Sequence, residues 1–360
     1  MPVASYTWKD TELRYVDENV SRYLHFPLEP LFRALYIEHP SFDIRSTDVI
    51  TDRNNIRKLL SFVSGRAGAG NDIEPFTIKL EVIKNTVILC RMETATYEFI
   101  GPNEFRGFGH EFEKAYTVNQ IKGSTGHYRI ISYHFGGLNF IIRHETDGYV
   151  DDGTIMPSSS SKDQEIDNLS YALGSWSLSV ANSNASLIPV ARSKLTVKQK
   201  GQVIPLESTI EIKTRVSHKP VSIEDIAPQL WVSQTPNLVR AYHRAGVFQH
   251  PQLEDVTAHI KRWEACNQAH LKKLAALIEK LITVAKGRGV MILKYDPLGD
   301  KLVLSQTEEV KMLPEDLYLK WNDKEQLEAE IDTKATTKTD VLQGEQLPVS
   351  KEVTAFMFID

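Results

Sequence analysis

The chain has 360 residues, 41% of them hydrophobic and 25% charged, which is typical of a globular protein with a sizeable core. Its formal net charge of −5 provides no overall positive field, so a nucleic-acid partner would need a local basic groove. Two distant cysteines and no apolar run of about 20 residues argue against a disulfide framework and a membrane span, and predict a cytosolic or nuclear protein without a membrane partner.

In chain order, the first half predicts helices that alternate with strands. A short helix is expected at 30–36, followed by the strand "DVIT" and by a helix that carries Ile56 and Leu60 on one side. The segments "FTIKLEVIKN" and "TVILCRMET" predict two paired strands. After a helix within "RGFGHEFEKAYTV", the segments "HYRIISYHF" and "LNFIIRHETDGYV" predict a hairpin that turns at Gly136 and Gly137.

The second half begins with a polar, serine-rich stretch at about 151–205, which is interpreted as an insertion. "LESTIEIKTRV" predicts a short central strand, and the periodic apolar residues of 254–286 predict one long helix. "GVMILKYDPLGDKLVLSQ" predicts a closing hairpin, and 323–360 is a charged C-terminal tail. This order predicts an α/β (α+β) fold with a mixed central sheet flanked by helices.

Two pairs of residues suggest a chemical site. Residues i and i+2 of a strand point to the same side, so Glu145 is expected beside Asp147, and Glu211 beside Lys213. Burying such carboxylates is costly without a partner, and a hard divalent cation is a natural one. A nearby lysine could stabilise charge that develops on a phosphate. The alternative for the first pair is an ion pair at a strand end, formed with Arg143 or His144.

The order of five motifs resembles that of the DXO/Rai-type decapping exoribonucleases. The motifs are "DRNNIRKLL", "GHEFE", "ETD", "EIK" and "LWVSQ", within a region that covers roughly 23–321. The resemblance implies a PD-(D/E)xK-like nuclease core, with a single nuclease domain at 1–322. His110 stands where this family usually has an apolar residue, and the insertion lengthens the link between Asp147 and Glu211, which leaves the substrate open.

The resemblance also implies roles for individual residues. Acidic side chains and one carbonyl oxygen would bind Mg²⁺ or Mn²⁺, with two ions expected, and Glu145 would bind metal or orient water. The implied ligands are Glu113, Glu145, Asp147, Glu211 and the carbonyl group of Ile212.

Three further residues are implied on the substrate side. Lys213 and Gln234 would hold the scissile phosphate and the attacking water, and Arg53 would contact a substrate phosphate. Two alternatives stay open at this point. Arg53 could pair with Asp52 at the start of its helix, and Gln234 could cap the turn before Pro236.

The resemblance implies a metal-dependent hydrolase that acts on the 5′ end of RNA. It would remove incomplete or non-standard caps or a 5′ triphosphate or pyrophosphate, and 5′→3′ exoribonuclease activity is a further option. Its partners would be the RNA 5′ end and, as a second option, a separate 5′→3′ exoribonuclease protein. The alternatives are a non-catalytic RNA-binding or scaffold relative that supports such an exoribonuclease, and a nuclease of the same chemistry that acts on DNA.

Overall fold

The computed structural model describes most of the predicted domain. The described residues are 2–9, 26–65, 73–92, 107–121, 124, 126–150, 187–189, 195–199, 201, 203–299, 301–307, 311–322 and 355–359. Most of the predicted insertion and of the predicted tail lies outside these residues. No helix in the described ranges is long and apolar enough to cross a membrane.

The described strands form two sheets. They are β1 (Pro2–Lys9), β2 (Val49–Asp52), β3 (Phe76–Ile83), β4 (Thr86–Arg91), β5 (Gly126–Phe135), β6 (Leu138–Glu145), β7 (Gly148–Tyr149), β8 (Leu187–Pro189), β9 (Leu195–Gln199), β10 (Thr209–Val216), β11 (Asn237–Arg244), β12 (Val247–Phe248), β13 (Gln252–Asp255), β14 (Val290–Asp296), β15 (Lys301–Gln306) and β16 (Ala355–Ile359).

The described α-helices flank these sheets. They are α1 (Glu29–Glu38), α2 (Arg53–Ser64), α3 (Gly109–Tyr116), α4 (Ile223–Ser233), α5 (Thr257–Cys266), α6 (Gln268–Ala285) and α7 (Glu315–Tyr318).

The larger sheet has eleven strands in the order β15-β14-β3-β4-β2-β6-β5-β1-β16-β9-β8. It is mixed, because β2 runs parallel to both β4 and β6, whereas β5 and β6 form the predicted antiparallel hairpin. The smaller sheet has the order β12-β11-β10-β7, with β13 also paired to β11, and its β10 and β11 are parallel. The predicted mixed α+β architecture is therefore confirmed.

Two apolar clusters bury the larger sheet on both faces. Ile141 of β6 packs in a cluster with Phe32 of α1, whereas its neighbours Phe140 and Ile142 pack in a cluster with Trp231 of α4. This alternation explains why "LNFII" reads as a nearly continuous apolar run, since a strand that is covered on both faces has no solvent side.

The expected single helix at 254–286 is wrong in detail. The chain first forms β13 and then two helices, α5 and α6, which meet at Asn267. The side chain of Asn267 donates a hydrogen bond to the carbonyl of Trp263 at 2.7 Å. An asparagine that satisfies the last turn of one helix ends that helix locally, even though apolar residues continue with a helical period.

The two regions set apart in the sequence also contribute strands. Strands β8 and β9 come from the predicted insertion, and β16 comes from the predicted tail. Strand β16 pairs with β1 and with β9. The boundaries predicted for the nuclease domain, the insertion and the tail stay predictions.

The β5–β6 turn provides a test of how tightly this hairpin packs on α6. Gly136 has φ +58°, and a Cβ atom added there would collide with the Cβ of Ala275. We expect Gly136→Ala to lower the free energy of unfolding by about 2 kcal/mol, measured by urea denaturation. Gly137→Ala is the matched control, because Gly137 has φ +84° with open space around it. It should cost only about 1 kcal/mol, and equal losses would contradict the packing explanation.

Candidate active site

A buried ion pair fixes the neighbouring ends of β2 and β6. Arg143 lies opposite Asp52 in the parallel register, and its Nε and Nη2 donate to the two carboxylate oxygens at 2.5 and 2.9 Å. Its Nη1 also donates to the carbonyl of Pro27 at 2.6 Å. This bidentate contact holds the two strand ends together, so Arg53, the first residue of α2, lies close to Glu145, the last residue of β6.

Glu211 of β10 is the centre of the site. It is 2% exposed, and Arg53 donates to its Oε2 at 2.9 Å, while Lys213 donates to its Oε1 at 2.6 Å. The side-chain amide of Gln229, from α4, donates to the same Oε1. Arg53 therefore pairs with Glu211, from which it is 158 positions away in the sequence.

Electrostatics keep these three groups charged. Burial tends to raise the pKa of Glu211, but the positive charges of Arg53 and Lys213 outweigh burial and lower it. Burial tends to lower the pKa of Arg53, but the charges of Glu211, Asp147 and Glu145 raise it. The pKa of Lys213 is raised in the same way by the charges of Glu211 and Asp147. Three of the four predicted acids, Glu145, Asp147 and Glu211, thus lie close enough to Arg53 to raise its pKa.

Asp147 reaches the site from the gap between two strands. Strand β6 ends at Glu145, and β7 begins at Gly148 and pairs with β10. Asp147 Oδ2 accepts a hydrogen bond of 2.6 Å from the backbone N–H of Ile212. Because Ile212 separates Glu211 from Lys213, this bond brings the acid–x–acid motif to the acid–x–lysine motif.

Helix α3 brings Glu113 towards the same strand. The preceding Phe112 is 2% exposed and packs with Ile210 and Ile212 of β10. Glu113 itself is half-buried. Phe112 is therefore buried against β10, and the metal-binding role of Glu113 stays a prediction.

Gln229, and not Gln234, is the glutamine that contacts Glu211. Gln234 follows the end of α4 with φ +56°, is exposed, and donates from Nε2 to the carbonyl of Trp231 at 2.5 Å. This is the turn-capping position described by the alternative interpretation. The sequence analysis missed Gln229, although Ser222, which accepts a hydrogen bond from the Glu224 N–H, is an N-cap signal for the helix that carries it.

Polar side chains continue beneath the acids on β5 and β6. His144 is 3% exposed and its cross-strand neighbour Arg129 is equally buried. His144 Nδ1 contacts the carbonyl of Glu145 at 3.1 Å, and its Nε2 is buried without a hydrogen-bond partner. Burial and the charge of Arg53 lower the pKa of His144 to about 3. Burial and the charge of Arg129 lower that of His127 to about 4.

The described acids do not form a ready-made metal cage. Among the residues that the structure describes, no three acidic, histidine or cysteine side chains are grouped closely enough to hold a metal ion. Both oxygens of Glu211 are instead bonded to groups of the chain itself. In this structure the negative charge of Glu211 is therefore paired with the cationic side chains of Arg53 and Lys213.

The fold belongs to a known class. A mixed sheet between helices, with acids and basic residues gathered at its strand ends, is the DXO/Rai-type fold expected from the motifs. Candida albicans Rai1 in complex with pU5-Mn2+ has a TM-score of 0.51 and 12% identity to this chain, and the match covers 89% of this chain and 94% of that one.

The family of the chain is also defined. The chain belongs to the family described as Domain of unknown function (DUF8563), whose profile matches residues 1–317.

Two further structures have lower TM-scores. S. pombe Rai1 in complex with 3'-FADP has 13% identity and a TM-score of 0.49, over 85% of this chain and 93% of that chain. Scheffersomyces stipitis Rai1 has 12% identity and a TM-score of 0.47, over 94% of this chain and 87% of that chain. No curated protein sequence matches the chain.

Proposed function

We propose that this chain is a Mg²⁺- or Mn²⁺-dependent hydrolase that acts on the 5′ end of RNA. The observation that carries the proposal is the buried Glu211, bonded to Arg53, Lys213 and Gln229, with Asp147 bonded to the next residue of the same strand. Support also comes from the similarity of the fold to Candida albicans Rai1, whose structure contains pU5 and Mn2+.

The chemistry of the donor set fits a hard divalent ion. The proposed ligands supply only oxygen atoms, which Mg²⁺ and Mn²⁺ prefer. They are Glu113, Glu145, Asp147, Glu211 and the carbonyl group of Ile212. When bound, such an ion polarises a phosphate and makes water a better nucleophile.

Loading the site requires a change of partners. Oε1 of Glu211 accepts hydrogen bonds from Lys213 and Gln229, and Oε2 accepts one from Arg53, so an ion that binds this carboxylate competes with these donors. Once released, both cations are free to bind phosphate oxygens, Arg53 through its planar fork and Lys213 through its ammonium group. Lys213 would then stabilise the negative charge that develops during hydrolysis. Metal and substrate binding are therefore expected to favour each other.

The proposed substrates are RNAs with an incomplete or non-standard cap, a 5′ triphosphate or a 5′ pyrophosphate. Water attacks a phosphorus atom held near Lys213, and the leaving group departs on the opposite side. A 5′→3′ exoribonuclease activity, a separate exoribonuclease partner, and a nuclear or cytoplasmic location stay predictions.

A non-catalytic relative that binds RNA or supports another exoribonuclease is the second candidate. It is favoured by one observation, namely that Arg53 and Lys213 both form ion pairs with Glu211. Such a protein would keep these ion pairs when Mn²⁺ is added.

A panel of 5′-modified RNAs tests the proposal. The protein is incubated with Mn²⁺ and with RNA carrying a 5′ triphosphate, a 5′ monophosphate, an incomplete cap or a non-standard cap, and the products are sized. DNA of the same sequence is included as a control. Release of a 5′ group from at least one RNA supports the proposal, and RNA binding without any product supports the non-catalytic candidate.

Substitutions of Gln229 and Gln234 test whether the glutamine that bonds to Glu211 or the one implied by the motif contributes to hydrolysis. We expect Gln229→Met to lower the rate of hydrolysis by about tenfold, because Glu211 loses its neutral hydrogen-bond donor. Gln234→Met should change the rate by less than about threefold, since the Gln234 side chain bonds to Trp231 in its own turn. The rates of both variants and of the wild type are measured under single-turnover conditions with the preferred RNA. The opposite ranking would restore the role that the motif implied for Gln234.

A further inference from the structure

A second arginine lies beside the site on helix α2. Arg57 follows Arg53 by four residues, which places both side chains on the same side of the helix, about 6 Å apart along its axis. The sequence motifs single out only the first of the two.

Arg57 forms no hydrogen bond with the described residues, whereas the buried Arg129, which also forms no ion pair, donates from Nη2 to the carbonyl of Ile204. Arg53 bonds to Glu211, Arg143 bonds to Asp52, and Arg33 bonds to Glu29 and Asp316. Within the described part of the chain, Arg57 forms no ion pair, and its Nε is buried without a hydrogen-bond partner. A half-buried cation that lacks an anion is costly. An anionic group of a ligand bound at the site would offset this cost.

The charges around Arg57 belong to the site. Burial lowers the pKa of Arg57, the charge of Arg53 lowers it further, and the charge of Glu211 raises it. Arg57 therefore lies close enough to Glu211 for the two charges to interact, but that carboxylate is already bonded to two other cations. An additional anion at this position would relieve the repulsion between the two arginines.

We propose that Arg57 binds a second phosphate group of the RNA substrate, adjacent to the phosphate bound by Arg53. This inference rests on the proposed function and extends it from one phosphate contact on α2 to two. Arginines one helical turn apart suit successive phosphates of a strand that lies along the helix. The second phosphate is either the next phosphodiester of the RNA or a further phosphate of a 5′ triphosphate, and the two sources have the same chemistry.

Binding measurements on the full chain test this assignment. The ligands are a five-nucleotide RNA with a 5′ monophosphate, the same RNA with a 5′ triphosphate, and GTP alone, with Ca²⁺ in place of Mn²⁺ to slow hydrolysis. The variants are Arg57→Met, which keeps the apolar stem, and Lys58→Met. Lys58 is the matched control, because it is the next residue of α2 and its Nζ lies over the Phe76 ring instead, 5.9 Å from the ring centre.

We expect Arg57→Met to weaken RNA binding by roughly tenfold and to reduce the slope of log affinity against log salt by about 0.7. Lys58→Met should change affinity by less than about twofold. If only the RNAs are affected, the second phosphate is the next phosphodiester. If the triphosphate RNA and GTP are affected more than the monophosphate RNA, it belongs to the 5′ end. Equal affinities of Arg57→Met and wild type for all three ligands would overturn the inference.

Thermal unfolding separates a binding role from a structural one. Because Arg57 has no ion-pair partner, Arg57→Met should leave Tm unchanged or raise it. A lower Tm together with weaker binding would assign Arg57 to folding and overturn the proposal. Wild-type hydrolysis in Mn²⁺ is scored separately, so the proposed function can stand when the Arg57 inference fails. If wild type neither binds nor hydrolyses RNA, both are overturned.

Discussion

Glu211→Gln is expected to abolish hydrolysis and to destabilise the fold at the same time. The rate should fall by at least about 1,000-fold, because the proposed metal loses a charged ligand. The free energy of unfolding should fall by about 3 kcal/mol, because Arg53 and Lys213 are left partly buried without their carboxylate. RNA cleavage assays and urea denaturation measure the two effects.

Two further variants make this prediction specific. Glu207→Gln is the matched control, since Glu207 is an exposed glutamate just before β10 and should leave both rate and stability nearly unchanged. The double variant Arg53→Met, Glu211→Gln should recover part of the lost stability, because the unpaired arginine is removed as well. Strictly additive losses would mean that the ion pair contributes nothing. A Glu211→Gln protein that cleaves RNA normally would exclude Glu211 from catalysis.

Acidification from pH 7.5 to 5.5 is expected to lower the free energy of unfolding of the metal-free protein by about 3 kcal/mol. His144 has a pKa of about 3 in the folded chain and His127 a pKa of about 4, against an ordinary value of 6.5. Between pH 6.5 and 4, the unfolded chain therefore binds protons that the folded chain does not. The stabilisation is complete above pH 6.5 and is lost as the pH falls, and each histidine accounts for about 1.4 kcal/mol of the loss between pH 7.5 and 5.5.

Urea denaturation at the two pH values measures this loss. His144→Gln should remove about half of the pH dependence, because it removes one of the two histidines whose pKa is lowered in the folded chain. His259→Gln is the control, because His259 is exposed on α5 and its loss should leave the full dependence. A pH dependence that survives in His144→Gln unchanged would show that His144 becomes protonated in the folded protein as readily as in the unfolded chain.

The local part of the site could be predicted from the sequence. Strand alternation placed Glu211 and Lys213 on one side of a strand, and the structure has their side chains bonded at 2.6 Å. The pairing of Arg53 with Glu211 could not be derived from spacing, because it joins helix α2 to strand β10 across 158 positions. Only the order of the motifs suggested that these segments meet. Parallel pairing of β2 with β6 and the Asp52–Arg143 bond then supply the physical cause.

The site residue that sequence reasoning missed lies on an unpredicted helix. Pro228 lies within α4 and obscured the helical pattern, although Ser222 and the acids Glu224 and Asp225 form a good helix start. Without this helix, Gln229 could not be placed, and the motif pointed to Gln234 on the other side of Trp231. Strand β11 was also missed, and it is the parallel neighbour that positions β10. Long-range pairing of this kind has no local signal.

A manganese-soaked crystal tests the central claim most directly, because it shows whether an ion can displace the internal cations from Glu211. We predict anomalous density for Mn²⁺ bonded to Asp147 and Glu211 at about 2.0–2.3 Å, with Arg53 and Lys213 moved away from the Glu211 oxygens. A crystal without such density, in which Glu211 still accepts hydrogen bonds from Arg53 and Lys213, would contradict metal-dependent hydrolysis at this site.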